Sequence, residues 1–73
     1  MSPVAFYVQL ADLVATEIET GRLQPRQPLP SESHLQQEYG VSRGTVRAAI
    51  RLLRDRGLVV TFTGRGTYVV DRS

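Results

Sequence analysis

The hydrophobic residues of this chain recur at helical spacing through most of its length and at strand spacing near its end. From residue 4 to residue 20 the apolar side chains return every three or four positions, in a stripe interrupted only by Glu17: Phe6, Leu10, Leu13, Val14 and Ile18. This spacing predicts a first helix over residues 4–20, with Gly21 as the residue at which the backbone leaves it.

A proline-rich stretch separates this helix from the next one. Residues 22–30 (RLQPRQPLP) contain three prolines, which exclude a helix and favour an extended connector. Ser31 then has the side chain of a helix N-cap, and the negative charge of Glu32 suits the positive first turn of a helix. We expect a second helix over residues 31–39 in which Leu35 and Tyr39, four residues apart, face the core.

A tight turn and a third helix follow. Gly40 allows the backbone a positive φ angle, and Ser42 is a suitable N-cap for a helix over residues 43–56. The apolar stripe of this helix is spaced i, i+3, i+4 and i+7: Val46, Ala49, Ile50 and Leu53. Two helices joined by residues 39–43 (YGVSR), with Val41 closing the junction, have the sequence form of a helix-turn-helix.

The last part of the chain predicts a β-hairpin. Residues 58–62 (LVVTF) and 67–70 (TYVV) are β-branched and aromatic, and the turn residues 63–66 (TGRG) lie between them. We expect Phe62 and Tyr68 in the core of this hairpin. The whole order predicts a mainly α fold with a small β-hairpin wing over residues 58–70. This is a single winged helix-turn-helix domain spanning 1–73, with three helices followed by a two-stranded antiparallel wing.

Composition narrows the function classes. The 73 residues include one histidine and no cysteine, so we expect no disulfide, no metal site and no cofactor. The sequence has neither a signal peptide nor an apolar run long enough to cross a membrane, so we expect a cytoplasmic protein without a membrane partner. No set of serine, histidine and acid, no phosphate-binding glycine loop and no paired-carboxylate motif stands out, and so small a domain offers little pocket. We therefore do not expect an enzyme.

Positive charge is concentrated in one segment of the chain. All nine basic residues are arginine, and five of them lie in residues 43–56 against a single acid, Asp55. Residues 1–21 carry three acids and no base. A segment of this kind is typical of an element that faces nucleic acid, and its alternative interpretation is a solvated arginine face.

The arginines of the third helix share one side of it. At about 100° per residue, four of them fall beside the apolar stripe without overlapping it: Arg43, Arg47, Arg51 and Arg54. Guanidinium groups match the O6 and N7 atoms of guanine and the oxygens of phosphate. Arg65 lies at the tip of the hairpin between Gly64 and Gly66, and a narrow minor groove attracts such an arginine. These positions predict binding to double-stranded DNA.

Two other functions remain as alternatives. A winged helix can bind protein, although such an interface would favour an apolar and aromatic centre. RNA binding usually needs exposed aromatic side chains for stacking. Single residues have ordinary interpretations too: Arg43 would then pair with an acid such as Glu38 across the turn, and Arg65 would be a simple exposed turn residue.

Residues 29–69 resemble the DNA-binding domain of the GntR family of bacterial transcription regulators. The pieces that match, in register, are Leu29-Pro30-Ser31-Glu32, Gly40-Val41-Ser42-Arg43, Thr45-Val46-Arg47, Ala49, Leu53, Gly57-Leu58 and Gly64-Arg65-Gly66-Thr67. Tyr7-x-Gln9-Leu10 and Gly21-x-Leu23 also resemble the family's first helix and its exit, and the first helix is similar to that of the HutC-like branch. The resemblance implies a bacterial regulator, by analogy a repressor, that binds an inverted-repeat operator as a homodimer.

The resemblance also implies which residues contact DNA. The positions that match the family's contacts lie in the third helix and in the wing: Ser42, Arg43, Thr45, Arg47, Gly64, Arg65 and Gly66. We also expect DNA contacts at four further positions: Ser31, Ser33, Gly44 and Arg51. Family members usually carry a C-terminal ligand-sensing and dimerising domain, and this chain ends near where the linker to it would begin. Both an excised domain and a minimal protein fit the resemblance.

Three positions depart from the family pattern. Ser33 stands where the family usually has an arginine that helps to read DNA, and Gly44 leaves a variable reading position without a side chain. These two departures predict an operator that differs from the commonest one of the family. Arg26 replaces a common glycine after Pro25, so we expect a different geometry in that turn.

Overall fold

The computed structural model describes residues 4–71 of the chain. Three helices precede a β-hairpin: α1 (Phe6–Glu19), α2 (Glu32–Tyr39), α3 (Arg43–Asp55), β1 (Val59–Phe62) and β2 (Gly66–Val69). This architecture confirms the expected winged helix-turn-helix. The three helices and β1 are slightly shorter than the predicted ranges; Ala5, for example, is still extended before α1. Strand β2 is shifted by one residue, because Gly66, expected in the turn, already pairs with Phe62.

Side-chain oxygens begin the two helices of the helix-turn-helix. Ser31 is the N-cap of α2 and accepts a hydrogen bond from the His34 backbone N–H at 3.0 Å. Ser42 is the N-cap of α3 and accepts from the Thr45 backbone N–H at 3.2 Å. Each cap satisfies a backbone donor that the first helical turn leaves unpaired. Gly40 ends α2 at φ 64°, so the turn between the helices has the left-handed residue that the sequence predicted.

The buried face of α1 is rotated from the face marked by its largest apolar residues. Leu10 and Val14 are buried as expected, but Phe6 is 72% exposed and Leu13 is 52% exposed. The buried positions on the other side of Leu10 and Val14 are the alanines Ala11 and Ala15. Small side chains allow α1 to approach α3 closely, so the packing follows the alanines and leaves Phe6 and Leu13 at the edge of the interface.

Helix α3 forms the centre of the core. It packs against α1, α2 and β1, and all four residues of its predicted apolar stripe are buried. Val46 and Leu53 are its most completely enclosed side chains. Leu35 from α2 joins the same cluster, and Tyr39 and Val41 pack against it while remaining partly exposed.

The wing has one buried face and one open face. Val59 pairs with Val69, and both side chains are buried; the next pair, Val60 and Tyr68, therefore points to the opposite face. Phe62 shares that outer face and is 50% exposed, so the expectation that Phe62 and Tyr68 form the hairpin core is wrong. The two rings instead contact each other edge to face on the outer surface, with centroids 5.9 Å apart.

The proline-rich connector pairs with the free edge of β2. The backbone N–H groups of Arg26 and Leu29 donate to the carbonyl oxygens of Val69 and Thr67, and Pro28 forms a bridge with Tyr68. Arg26 has φ 68°, the left-handed conformation that a glycine adopts without strain. Arg26 therefore adopts the backbone conformation of a glycine at a cost of roughly 1–2 kcal/mol, and its side chain pairs with Asp71 at 3.0 Å.

Candidate nucleic-acid interface

Two arginines of α3 present unpaired guanidinium groups. Arg47 and Arg51 are exposed, and neither side chain has an ion pair or hydrogen bond to any of residues 4–71. They lie one turn apart on the side of the helix away from the buried stripe. A guanidinium without an internal partner can bind a phosphate oxygen without first breaking a bond within the protein.

Arg43 is held by an acid on the neighbouring helix. Its Nε atom donates to Oε1 of Glu32 at 3.3 Å, which joins the first residue of α3 to the first residue of α2. The alternative partner that the sequence suggested, Glu38, lies instead beside His34 at 3.7 Å. Sequence reasoning missed the role of Glu32, because a contact across eleven positions depends on the angle between two helices and not on local spacing.

The remaining arginines of this segment have partners within the domain. Arg54 donates from Nη1 to the hydroxyl of Thr61 at 3.2 Å, and that hydroxyl lies 2.9 Å from the hydroxyl of Thr67. Arg56 pairs with Asp12 of α1 at 2.8 Å. Arg54 therefore connects α3 to the wing, and Arg56 connects the end of α3 to α1. Fewer arginines of this segment are therefore available to bind a ligand than their number in the sequence indicated.

The start of α3 combines a cap with open space. The Ser42 hydroxyl is within 3.0 Å of the Thr45 hydroxyl in addition to its bond with the Thr45 backbone, so both predicted contact residues also serve the cap. A Cβ atom added to Gly44 would meet only the Ser42 hydroxyl, at an ordinary distance of 3.9 Å. The fold therefore does not require a glycine at this position, and its absence of bulk leaves the backbone accessible from outside.

The start of α2 lies beside the start of α3. Ser31 serves as the cap of α2, and Ser33 is exposed in the first turn of that helix. The ion pair between Glu32 and Arg43 places the first turns of the two helices next to each other. Ser33 has no hydrogen bond or ion pair through its side chain among residues 4–71.

The tip of the wing carries one exposed arginine between two glycines in left-handed backbone. Gly64 has φ 79° and Gly66 has φ 107°, values that side chains with a Cβ rarely adopt. The Arg65 backbone N–H donates to the Phe62 carbonyl at 2.9 Å, and the Tyr68 hydroxyl donates to the Arg65 carbonyl at 3.1 Å. These bonds fix the backbone of Arg65, while its guanidinium has no partner within the described range.

The acids of the first helix and the exposed arginines of the third belong to different elements of the domain. Helix α1 carries Asp12, Glu17 and Glu19 and no base, whereas α3 carries the exposed arginines. Burial raises the pKa of the Tyr39 hydroxyl above its usual value, and the carboxylates of Glu17 and Glu38 raise it further. The Tyr39 ring packs against the core while remaining partly exposed.

Neither a metal site nor a membrane span is visible in residues 4–71. No group of three potential histidine, aspartate or glutamate ligands comes together there. None of the helices in this range is long and apolar enough to cross a membrane.

Similar proteins are bacterial regulators. The model of the family described as bacterial regulatory proteins, gntR family, matches residues 6–69. The chain is 44% identical over 68 residues to the HTH-type transcriptional repressor NagR of Bacillus subtilis (strain 168), covering 93% of this chain and 28% of that protein. It is 36% identical over 70 residues to the histidine utilization repressor of Klebsiella aerogenes, covering 96% and 29%. The second match agrees with the HutC-like character of the first helix.

The fold is also similar to a solved protein–DNA complex. The crystal structure of AraR(DBD) in complex with operator ORX1 superposes on this chain with a TM-score of 0.88 at 36% identity, covering 96% of this chain and 87% of that one. The chain spans a little over a quarter of the length of the curated relatives described above. Since the family model matches nearly all of the described residues and the winged helix-turn-helix has the family's motifs in place, the chain belongs to the gntR family of bacterial regulatory proteins.

Proposed function

We propose that this chain binds double-stranded DNA sequence-specifically, as the DNA-binding domain of a bacterial transcription regulator. The observation that carries the proposal is the pair of exposed, unpartnered arginines on α3, Arg47 and Arg51, together with the exposed Arg65 at the tip of the wing. A fold neighbour at 36% identity is described as bound to an operator, which supports the same use of this surface.

Each element has a distinct part in the proposed complex. The first turn of α3, with Arg43, Gly44 and Thr45, enters the major groove, because that part of a recognition helix reaches the base edges. Arg47 continues this contact, and Arg51, further along the helix, binds a phosphate. Ser31 and Ser33 lie beside the backbone of the DNA at the start of α2. Arg65, supported by Gly64 and Gly66, reaches the adjacent minor groove.

The similar proteins indicate where the regulator acts and how it affects transcription. We infer that the regulator is a cytoplasmic repressor, that two copies occupy an inverted repeat, and that the domain catalyses no reaction. Two relatives are described as repressors, which supports the sign of regulation. A single domain makes few contacts, so pairing on two half-sites raises its effective concentration at the operator.

Selection of bound sequences from a random pool of duplex DNA tests the proposal. The 73-residue chain should enrich a defined operator, and it should bind that operator more tightly than a scrambled duplex or a single-stranded RNA of equal length. The RNA is needed because Phe62 is exposed and the rings of Phe62 and Tyr68 lie on the outer face of the wing, and aromatic rings of this kind stack on unpaired bases. Failure to enrich any sequence, or tighter binding to the RNA, would contradict the proposal.

Two matched arginine variants distinguish base reading from phosphate binding. Arg43→Ala should weaken operator binding by roughly 5–150-fold, as expected for 1–3 kcal/mol of base discrimination, with little effect on scrambled DNA. Arg51→Ala should weaken both duplexes alike and lower the salt slope by about one. Equal losses on both duplexes for Arg43→Ala would make Arg43 a phosphate contact, and no loss would place it outside the interface.

A further inference from the structure

We propose that Glu32 is a positioning residue for base recognition: it holds Arg43 so that the end of its guanidinium, and not its side, meets the DNA. This inference rests on the proposed function. The observation behind it is the single hydrogen bond between the Arg43 Nε and the Glu32 Oε1, at 3.3 Å.

Glu32 binds one particular nitrogen of the Arg43 guanidinium, Nε. A guanidinium can present a pair of donors from its side, through Nε and one Nη, or from its end, through both Nη atoms. Glu32 occupies Nε, whereas Nη1 and Nη2 of Arg43 have no hydrogen bond to residues 4–71. The terminal pair is therefore available as a two-donor fork for the O6 and N7 atoms of one guanine.

The ion pair lies where the first turns of α2 and α3 meet. Arg43 is the first residue of α3, an end of a helix where positive charge is disfavoured, and Glu32 is the first residue of α2, where negative charge is favoured. The carboxylate therefore offsets the unfavourable position of the arginine. The Glu32 side chain is 40% exposed and the Arg43 side chain 69% exposed, so the pair adds little to folding stability and its effect falls on the orientation of a surface group.

Glu32 also affects how tightly the domain binds DNA that lacks the operator sequence. A carboxylate on a surface that meets phosphates is repelled by them, so Glu32 weakens generic binding. An arginine released from Glu32 can turn toward the nearest phosphate, which strengthens generic binding and increases its salt dependence. Glu32 thus lowers affinity for arbitrary DNA while it favours the operator. A purely structural residue would not change these two affinities in opposite directions.

Two variants separate the reach of the side chain from its charge. Glu32→Asp keeps the charge and suits the helix start, but it shortens the side chain and withdraws the carboxylate from Nε. Glu32→Gln keeps the length and an oxygen acceptor but removes the charge. The control is Glu38→Asp, the same shortening on the same helix at a residue that lies beside His34 and not beside Arg43.

The measured quantity is the ratio of dissociation constants for scrambled duplex and selected operator, at two salt concentrations, with thermal melts to verify folding. We expect Glu32→Asp to lower this ratio about fivefold or more, the low end of what one two-bond base contact contributes. Glu32→Gln should retain most of the ratio and bind scrambled DNA more tightly. Glu38→Asp should leave the ratio unchanged. In an Arg43→Ala background, Glu32→Asp should have no further effect on the ratio.

Three results would overturn the inference. These are a ratio for Glu32→Asp within twofold of the wild-type value, a larger loss for Glu32→Gln than for Glu32→Asp, and a further loss in the Arg43→Ala background. The first removes any role in discrimination, the second assigns the effect to the charge and not to the reach of the side chain, and the third assigns it to a residue other than Arg43. A wild-type chain that does not discriminate between the duplexes would instead contradict the proposed function itself.

Discussion

Replacement of Leu53 by alanine should remove much of the folding stability of this domain. Leu53 is 1% exposed and lies on the face of α3 that packs against α1 and β1. The substitution removes three carbon atoms, worth about 0.8 kcal/mol each in transfer free energy, and leaves a cavity at the centre of the core. The sum is a loss of about 2–5 kcal/mol in the free energy of unfolding.

This loss is large relative to the total stability of so short a chain. At roughly 0.05–0.15 kcal/mol per residue, 73 residues give a free energy of unfolding of about 4–11 kcal/mol. Urea denaturation followed by far-UV circular dichroism measures the change. With an m-value of about 1 kcal/mol/M, typical of a small domain, the midpoint should fall by about 2 M or more, or the variant should be unfolded without urea.

The control is the same substitution on an exposed helical surface. Leu13 is 52% exposed on α1, so Leu13→Ala should change stability by less than about 1 kcal/mol. A midpoint for Leu53→Ala equal to that of the wild type, or to that of Leu13→Ala, would show that the core does not close on Leu53.

Three further predictions concern the DNA surface. Arg65→Ala should weaken DNA binding without changing the selected major-groove bases, because a minor-groove and phosphate contact carries little sequence information. Repeated site selection with the variant measures this, and a changed central consensus would contradict it. Gly44→Ala should raise the melting temperature slightly, by the equivalent of up to about 1 kcal/mol, since the added Cβ has room and alanine favours a helix. The same variant should weaken operator binding, and unimpaired binding would show that DNA does not approach this backbone. The chain should occupy a full operator as two copies and a half-site only weakly, and a tight complex of one chain per full operator in a stoichiometric titration would refute this.

The helix boundaries could be predicted from the sequence because their signals are local. Ser31 and Ser42 are caps, and Gly40 is left-handed, as the residue types indicated. The buried stripe of α3 was also predictable, since three of its four apolar residues are large and its opposite side is charged. On α1 the buried face predicted from hydrophobic spacing was partly wrong, because Ala11 and Ala15 contribute little to a hydrophobic pattern and yet lie on the buried face.

What the sequence could not supply depends on the relative placement of distant elements. The outward position of Phe62 and Tyr68 follows from the register of the hairpin, in which a shift of one residue exchanges the two faces. The partners Glu32 for Arg43 and Thr61 for Arg54 follow from distances between elements. The sequence therefore identified the arginines of the candidate surface but not which of them are engaged within the protein.

The hydroxyl bridge from Arg54 through Thr61 to Thr67 has a consequence for the entropy of DNA binding. Because these bonds join α3 to both strands of the wing, the wing becomes ordered when the domain folds. Without them these side chains would keep more conformational freedom and lose it on meeting DNA, at about 0.5–1.5 kcal/mol for each side chain that becomes immobile. The bridge transfers that loss from association to folding. The helix and the wing therefore meet DNA as one prearranged surface.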